Sequence, residues 1–379
     1  MKIIHIIENL DNSYGGPAKS VPLLVKYLNK LDIENKIFTI QIFDNEKNSV
    51  LDGSDIEVLK APIEGIRKLR YSSQLESMIA KEITKDTIIH VQTVWTYPTY
   101  IGYKIAKKYN LPLVVSVRGT MYEWALNQSK YIKKFAMLLF QRDMLNNADI
   151  IHITEQNEKK ALENIGIDNK TVLVPNGIEL ENDFNELDKN ILNKINYDNS
   201  KRYIMFLGRI VHNKGLHYLI ESYKKLKGEY QNIEVLVVGG IEDKKYFDLL
   251  EKAEGIHFLG ALDGIKKHTL LSISSLFVLP SKSENFGMSI AEAMSYKIPV
   301  ITTTGTPWQE IKEKDSGWWV ELNQNNIDNS IDEALSCSDN ELKAKGEKGF
   351  DIIRNYRWDK QATKMKQTYE EVLKKLKGK

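Results

Sequence analysis

Short apolar runs of strand length alternate with helical patterns along most of the chain, and this alternation restricts the fold more than any other feature. Residues 2–7, which include Ile3, Ile4, Ile6 and Ile7, open the series as a continuous apolar run. That is the pattern of a central parallel strand buried on both faces. Further runs fall at 36–40, 56–59, 87–91, 113–117, 149–154 and 171–174, with helical patterns at 17–31, 72–84, 100–109, 130–146 and 155–165 between most of them. After a polar, Asn-rich stretch at 179–200 a second series begins at 203–208 and continues at 233–238, 256–259, 275–279, 300–303 and 318–320. The alternation predicts an α/β protein with two Rossmann-like, doubly wound domains, 1–178 and 201–355, joined by a linker at 179–200. A Lys-rich helix closes the chain within 356–379. A length of 379 residues is enough for two such domains.

Composition narrows the function classes. A net charge of only +2 offers no global attraction for nucleic acid. The single cysteine, Cys337, rules out an internal disulfide and leaves too few thiols for a zinc cluster. The N-terminal apolar run ends at Glu8, too short for a signal-peptide core, and no run approaches the roughly 20 apolar residues of a spanning helix. These readings predict a cytoplasmic enzyme or binding protein.

The chemistry concentrates at two strand-to-helix junctions of the second half. The run at 275–279 stops at Pro280, a polar loop carries Glu284, and Gly287 precedes a helix predicted over 288–295. Glu292 lies about one turn inside that helix, on the side that reaches back toward the loop. Free N–H groups at a helix N-terminus suit a phosphate or diphosphate, and carboxylates accept the paired hydrogen bonds of vicinal hydroxyls. Such a site describes a sugar nucleotide. At the other junction, 208–216, Arg209 and Lys214 flank the entry to a helix, where two cations would clamp a diphosphate; His212 lies between them. In the first half, Gly15 and Gly16 precede Pro17 at the first strand-to-helix turn and let the backbone approach a ligand. The segments 92–95 and 118–121 follow strands and are candidate ligand loops.

Glu284-Asn285-Phe286-Gly287 followed by Glu292 resembles the E-x7-E motif of retaining nucleotide-sugar glycosyltransferases of the GT-B fold, the large family four, or group 1. The resemblance extends over nearly the whole chain. It implies two Rossmann-like domains facing across a cleft, with the closing helix crossing back to the first. It assigns the donor diphosphate to Arg209 and Lys214, the transferred sugar to Glu284 and the ribose to Glu292. Asn285, Phe286, Gly287 and Met288 become donor-binding positions. Gly15 and Gly16 lie near the sugar, Gly239 on a nucleotide-side loop and Leu262 on a turn near the base. Pro175-Asn176-Gly177-Ile178 matches a turn typical of the family before its linker.

The implied reaction moves a sugar, with retention, from a UDP- or GDP-sugar to a hydroxyl of a glycan or lipid-linked acceptor, in bacterial surface polysaccharide synthesis (O-antigen or capsule). No cofactor is implied, and no bound metal is needed. A sugar-nucleotide epimerase of the same fold and an inactive sugar-nucleotide-binding subunit are the alternatives. Arg118 departs from the pattern, since many members carry a histidine at this strand end. It either stabilises the leaving diphosphate or an acceptor oxygen, or caps a loop. His5, His90 and His152 lie inside strand runs and read as packing residues. The segment 130–142 mixes lysines with large apolar residues at helical spacing. It reads either as a core-packed helix with a solvated basic edge or as a contact with an anionic membrane surface.

Overall fold

Among the described residues thirteen strands form two parallel sheets. The computed structural model describes residues 1–11, 14–42, 48, 50–65, 70–180, 186–250 and 253–377. The chain divides into a first unit, Met1–Gly177 with Trp358–Lys379, and a second, Ile178–Arg357. Each is an α/β unit of the kind the alternating runs predict.

In the first unit the strands are β1 (Lys2–Ile6), β2 (Glu34–Gln41), β3 (Val58–Pro62), β4 (Thr87–Gln92), β5 (Leu113–Ser116), β6 (Ile150–Ile153) and β7 (Thr171–Leu173). They lie in the order β3-β2-β1-β4-β5-β6-β7, all neighbours parallel. β1 pairs with β2 on one side and β4 on the other, so the order reverses at β1, and ligand sites on such sheets open beyond the strand C-termini at that point. Helices cover both faces. One face is sealed by the helix Trp358–Lys377, whose Trp358, Ala362, Met365, Tyr369 and Val372 recur at helical spacing and are buried against Ile3, Ile88, Val114 and Ile150.

The second unit contains β8 (Arg202–Leu207), β9 (Ile233–Val238), β10 (Ile256–Gly260), β11 (Ser274–Leu279), β12 (Val300–Thr303) and β13 (Gly317–Val320), in the order β10-β9-β8-β11-β12-β13. Its core holds Tyr203, Phe206, Phe277 and Trp308. Here the order reverses between β8 and β11, which places the loops after these two strands side by side. Part of the stretch predicted as a linker is a helix, Lys189–Lys194, with Asp188 capping it through Ile191 N–H at 2.9 Å. Ile191 in the helix and Ile195 just after it are buried in the second unit's core. The remainder of that stretch at 181–185 lies outside the described residues. Among the described residues no helix is long and apolar enough to cross a membrane.

Candidate functional site

The two junctions picked out in the second half meet in the structure. The loop after β8 and the loop after β11 are stitched together by the Lys282 N–H donating to Asn213 O at 2.9 Å and the Asn213 side-chain amide to Ser283 O at 3.3 Å. Gly215 sits between them at φ +70°, and a Cβ there would stand 2.1 Å from Pro280 O, so neither the conformation nor the space admits a side chain. Gly239, at φ +157°, is equally constrained, since a Cβ would stand 1.8 Å from Gly208 O. Gly287 caps the helix Met288–Ser295 at φ +79°.

Three ion pairs organise the charges. Lys214 Nζ lies 2.5 Å from Glu284 Oε1, with the side chains only 15% and 10% exposed. Arg209 Nη1 lies 2.6 Å from Glu242 Oε2 on the open surface. Lys267 Nζ lies 3.0 Å from Glu292 Oε2. Lys214 and Glu284, predicted for diphosphate and sugar, are thus direct partners, whereas Arg209 and Lys214 share none. Phe286 turns inward instead of toward a ligand. It is buried against Trp308 and Tyr356, and Trp308 Nε1 donates to its carbonyl at 2.6 Å. The loop therefore offers backbone at this position. Asn285, Met288 and Leu262 are half-buried, the latter two against the core. His212 is exposed and stands beside His217 and Tyr246.

In the first unit Gly15 takes φ +97°, and a Cβ at Gly15 or Gly16 would meet nothing within 4 Å. Arg118, at φ +46°, is 8% exposed and held on three sides. Its Nε and Nη2 both donate to Gln92 Oε1 (3.1 and 2.8 Å), and Nη1 donates to Ser20 Oγ (3.1 Å) and Asn176 Oδ1 (3.2 Å). Burial lowers its pKa to about 10, with Glu158 opposing, so it stays charged at neutral pH. Thr93 (φ +98°) and Trp95 (φ +82°) lie just past β4, so three non-glycine residues with left-handed backbone gather at adjacent strand ends.

Behind Arg118 runs a buried polar chain with a single consistent set of donors. Gln92 has its oxygen on Arg118, so its amide donates to His5 Nδ1 (3.0 Å) and His90 Nδ1 (3.1 Å). His5 then donates from Nε2 to Asn35 Oδ1 (3.1 Å). Tyr369 also donates to His90 Nδ1 (2.6 Å), and His90 Nε2 donates to Ser116 Oγ (2.7 Å). Ser116 in turn donates to His152 Nδ1 (2.7 Å), and His152 Nε2 to Val174 O (2.8 Å). All three imidazoles are neutral with the proton on Nε2. Burial depresses His5 to about 4 and His152 to about 3, and His90 well below its ordinary value; the Arg118 charge adds to each.

Several polar groups here carried no sequence signal. Glu158 is buried, its carboxylate accepting from Gly119 N–H and from Thr154 N–H (2.6 Å) and Oγ1 (3.0 Å), and burial raises its pKa. Glu155, pushed up to about 7 by burial, caps the helix Gln156–Asn164 and accepts from Tyr122. Glu8, directly after β1, is buried and raised, with Tyr14 and Thr96 hydrogen bonds pulling the other way.

The segment 130–141 resolves differently from its core-packed reading. The helix Lys130–Ala136 buries no residue and runs into a π-helical turn, Met137–Gln141. Tyr131, Ile132, Phe135, Leu138 and Leu139 are 62–86% exposed, beside exposed Lys130 and Lys134.

Comparison with known proteins agrees with a two-domain GT-B fold. The family model described as Glycosyl transferases group 1 matches residues 188–350, and that described as Glycosyltransferase Family 4 matches 14–182. The capsular polysaccharide biosynthesis glycosyltransferase CapM of Staphylococcus aureus is 30% identical over 207 residues, covering 51% of this chain and 52% of CapM. The chain thus spans about half the length of that relative. The uncharacterized glycosyltransferase MJ1178 of Methanocaldococcus jannaschii is 25% identical over 364 residues, 94% of this chain and 95% of its own. Among solved structures, Anabaena Alr3699/HepE in complex with UDP and glucose superimposes with a TM-score of 0.77 at 16% identity, over 98% of this chain and all of the other.

Proposed function

We propose a reaction for this chain, which belongs to the group 1 glycosyl transferases, from the way its second unit arranges charge. It moves a sugar from a nucleoside-diphosphate donor, a UDP- or GDP-sugar, to a hydroxyl of a glycan or lipid-linked acceptor, keeping the anomeric configuration. The observation that carries this reading is the Lys214–Glu284 pair, 2.5 Å apart at the point where the strand order reverses. The names of CapM, a capsule enzyme, and of HepE bound to UDP and glucose support a nucleotide-sugar donor and a polysaccharide product.

In the proposed mechanism the bond from the anomeric carbon to the diphosphate oxygen breaks, and a bond to the acceptor oxygen forms on the same face. Lys214 and Arg209 compensate the charge that develops on the leaving diphosphate, whose oxygen takes the acceptor's proton. Glu284 holds the sugar hydroxyls, and Glu292 the ribose. Lys214 serves both ends, since it orients Glu284 while facing the diphosphate. Arg118 fixes the strand-end loop that Gly15 and Gly16 share the first unit with, and does not exchange protons.

The exposed apolar segment at 131–139 favours an acceptor held at a lipid surface. Apolar side chains this exposed, flanked by Lys130 and Lys134, suit the interface of an anionic membrane. Incubating the protein with a panel of UDP- and GDP-sugars, with thermal stabilisation and donor hydrolysis as readouts, tests the donor. Proton NMR of the product tests retention, and an inverted linkage rejects the mechanism.

A further inference from the structure

We infer that Lys267 is a positioning residue for Glu292 and thereby sets the preference of this site for a ribonucleotide over a deoxyribonucleotide. The inference rests on the reading above that Glu292 takes the ribose. Lys267 belongs to the helix Gly264–Ile273, which starts two residues after Leu262, and Glu292 to the helix Met288–Ser295. A lysine from one helix therefore grips a carboxylate from another, at 3.0 Å and with both side chains about a quarter exposed (22% and 26%).

The contact uses one oxygen only. Lys267 Nζ sits on Oε2, and among the described residues Oε1 has no hydrogen-bond partner. A glutamate has three side-chain torsions to freeze before it can accept from two vicinal hydroxyls at once. An ammonium already seated on one oxygen freezes them in advance, so ligand binding is spared that ordering cost. Burial works against the charge on Lys267, yet Glu292 outweighs it and raises the lysine above its ordinary range. The same carboxylate, after burial, helps push the neighbouring Tyr296 hydroxyl up to about 12.

The test compares the affinity of UDP with that of 2′,3′-dideoxyUDP, with the guanosine pair run alongside and the tighter-binding base scored. Wild type should prefer the ribonucleotide by at least about tenfold, the size of one hydrogen bond to a charged group. Lys267→Met should cut that preference to within about threefold while leaving dideoxy binding nearly unchanged, and Lys267→Arg should restore it. Should the Met variant fail to fold, Lys267→Gln carries the same comparison. An equal loss on both nucleotides, or an unchanged ratio, overturns the inference. Glu292→Gln separates the two layers: if it keeps the wild-type ratio, the ribose reading itself fails, whatever Lys267 does.

Discussion

Lys214 Nζ and Glu284 Oε1 stand 2.5 Å apart, each almost enclosed, so neither charge can be removed without stranding the other. Lys214→Ala and Glu284→Gln should each lower kcat/KM by roughly 2–4 kcal/mol of transition-state stabilisation. The two losses should be strongly non-additive, because the first substitution already frees the partner from its geometry. A double-mutant cycle on purified variants checks this, and additive effects would mean that the pair does not work as a unit.

Arg118 presents a different balance. Its guanidinium satisfies Gln92, Ser20 and Asn176 within the first unit. Arg118→Met should leave those acceptors without donors and cost about 2–4 kcal/mol of stability in urea unfolding. The donor KM should be unchanged. A raised donor KM with full stability would restore the diphosphate role that its position at the strand end suggests.

The three buried imidazoles give a pH prediction with a definite sign. Their folded pKa values lie below the unfolded value near 6.5, so the unfolded chain binds more protons between that value and about 4 for His5 or about 3 for His152. Their contribution is full above pH 6.5 and is lost as pH falls through that window. Glu155 and Glu158, raised in the folded state, act in the opposite sense above the ordinary glutamate range. Nitrogen NMR isolates the histidines: at pH 5.5 His5, His90 and His152 should remain neutral and protonated on Nε2. An imidazolium signal from any of them would break the hydrogen-bond assignment.

The exposed helix yields a test of location. Each large apolar side chain is worth roughly 1.5–3 kcal/mol when buried. Phe135→Ser with Leu138→Ser should therefore reduce partitioning onto anionic vesicles by at least about tenfold. Thermal stability should not change, since neither side chain packs inside the protein. Equal binding of variant and parent would leave the patch without a lipid partner.

Strand positions were legible because each is a continuous apolar run, and the runs at 233–238 and 300–303 coincide with β9 and β12. The Glu284–Gly287 loop and the 208–216 junction were legible because glycine and charge mark strand-to-helix turns. Their contact was not, since it depends on β8 pairing with β11 across some seventy residues. Phe286 reads as a loop aromatic, and only the distant Trp308 and Tyr356 show that it is an anchor. The imidazole chain was hidden for the same reason: His5, His90 and His152 sit on three strands, Gln92 at the end of His90's own strand bridges two of them, and Tyr369 reaches His90 from the closing helix. At 130–141 helical periodicity was plain, but periodicity does not say whether an apolar stripe finds a partner.

Tyr369 and Trp358 belong to the first unit although 180 residues, Ile178–Arg357, intervene. Gly177 is packed so tightly on Trp358 that an added Cβ would stand 2.3 Å from its ring. During synthesis, therefore, the first sheet leaves the ribosome with one face only partly covered, by the helix Gly16–Asn29, and with His90 lacking its tyrosine. At ordinary elongation rates of about 5–20 residues per second that interval lasts roughly 10–40 s. The second unit has time to fold to completion while the first waits. A chain cut off at residue 177 should be sticky and chaperone-dependent, whereas Trp358–Lys377 supplied as a separate peptide should rescue its solubility.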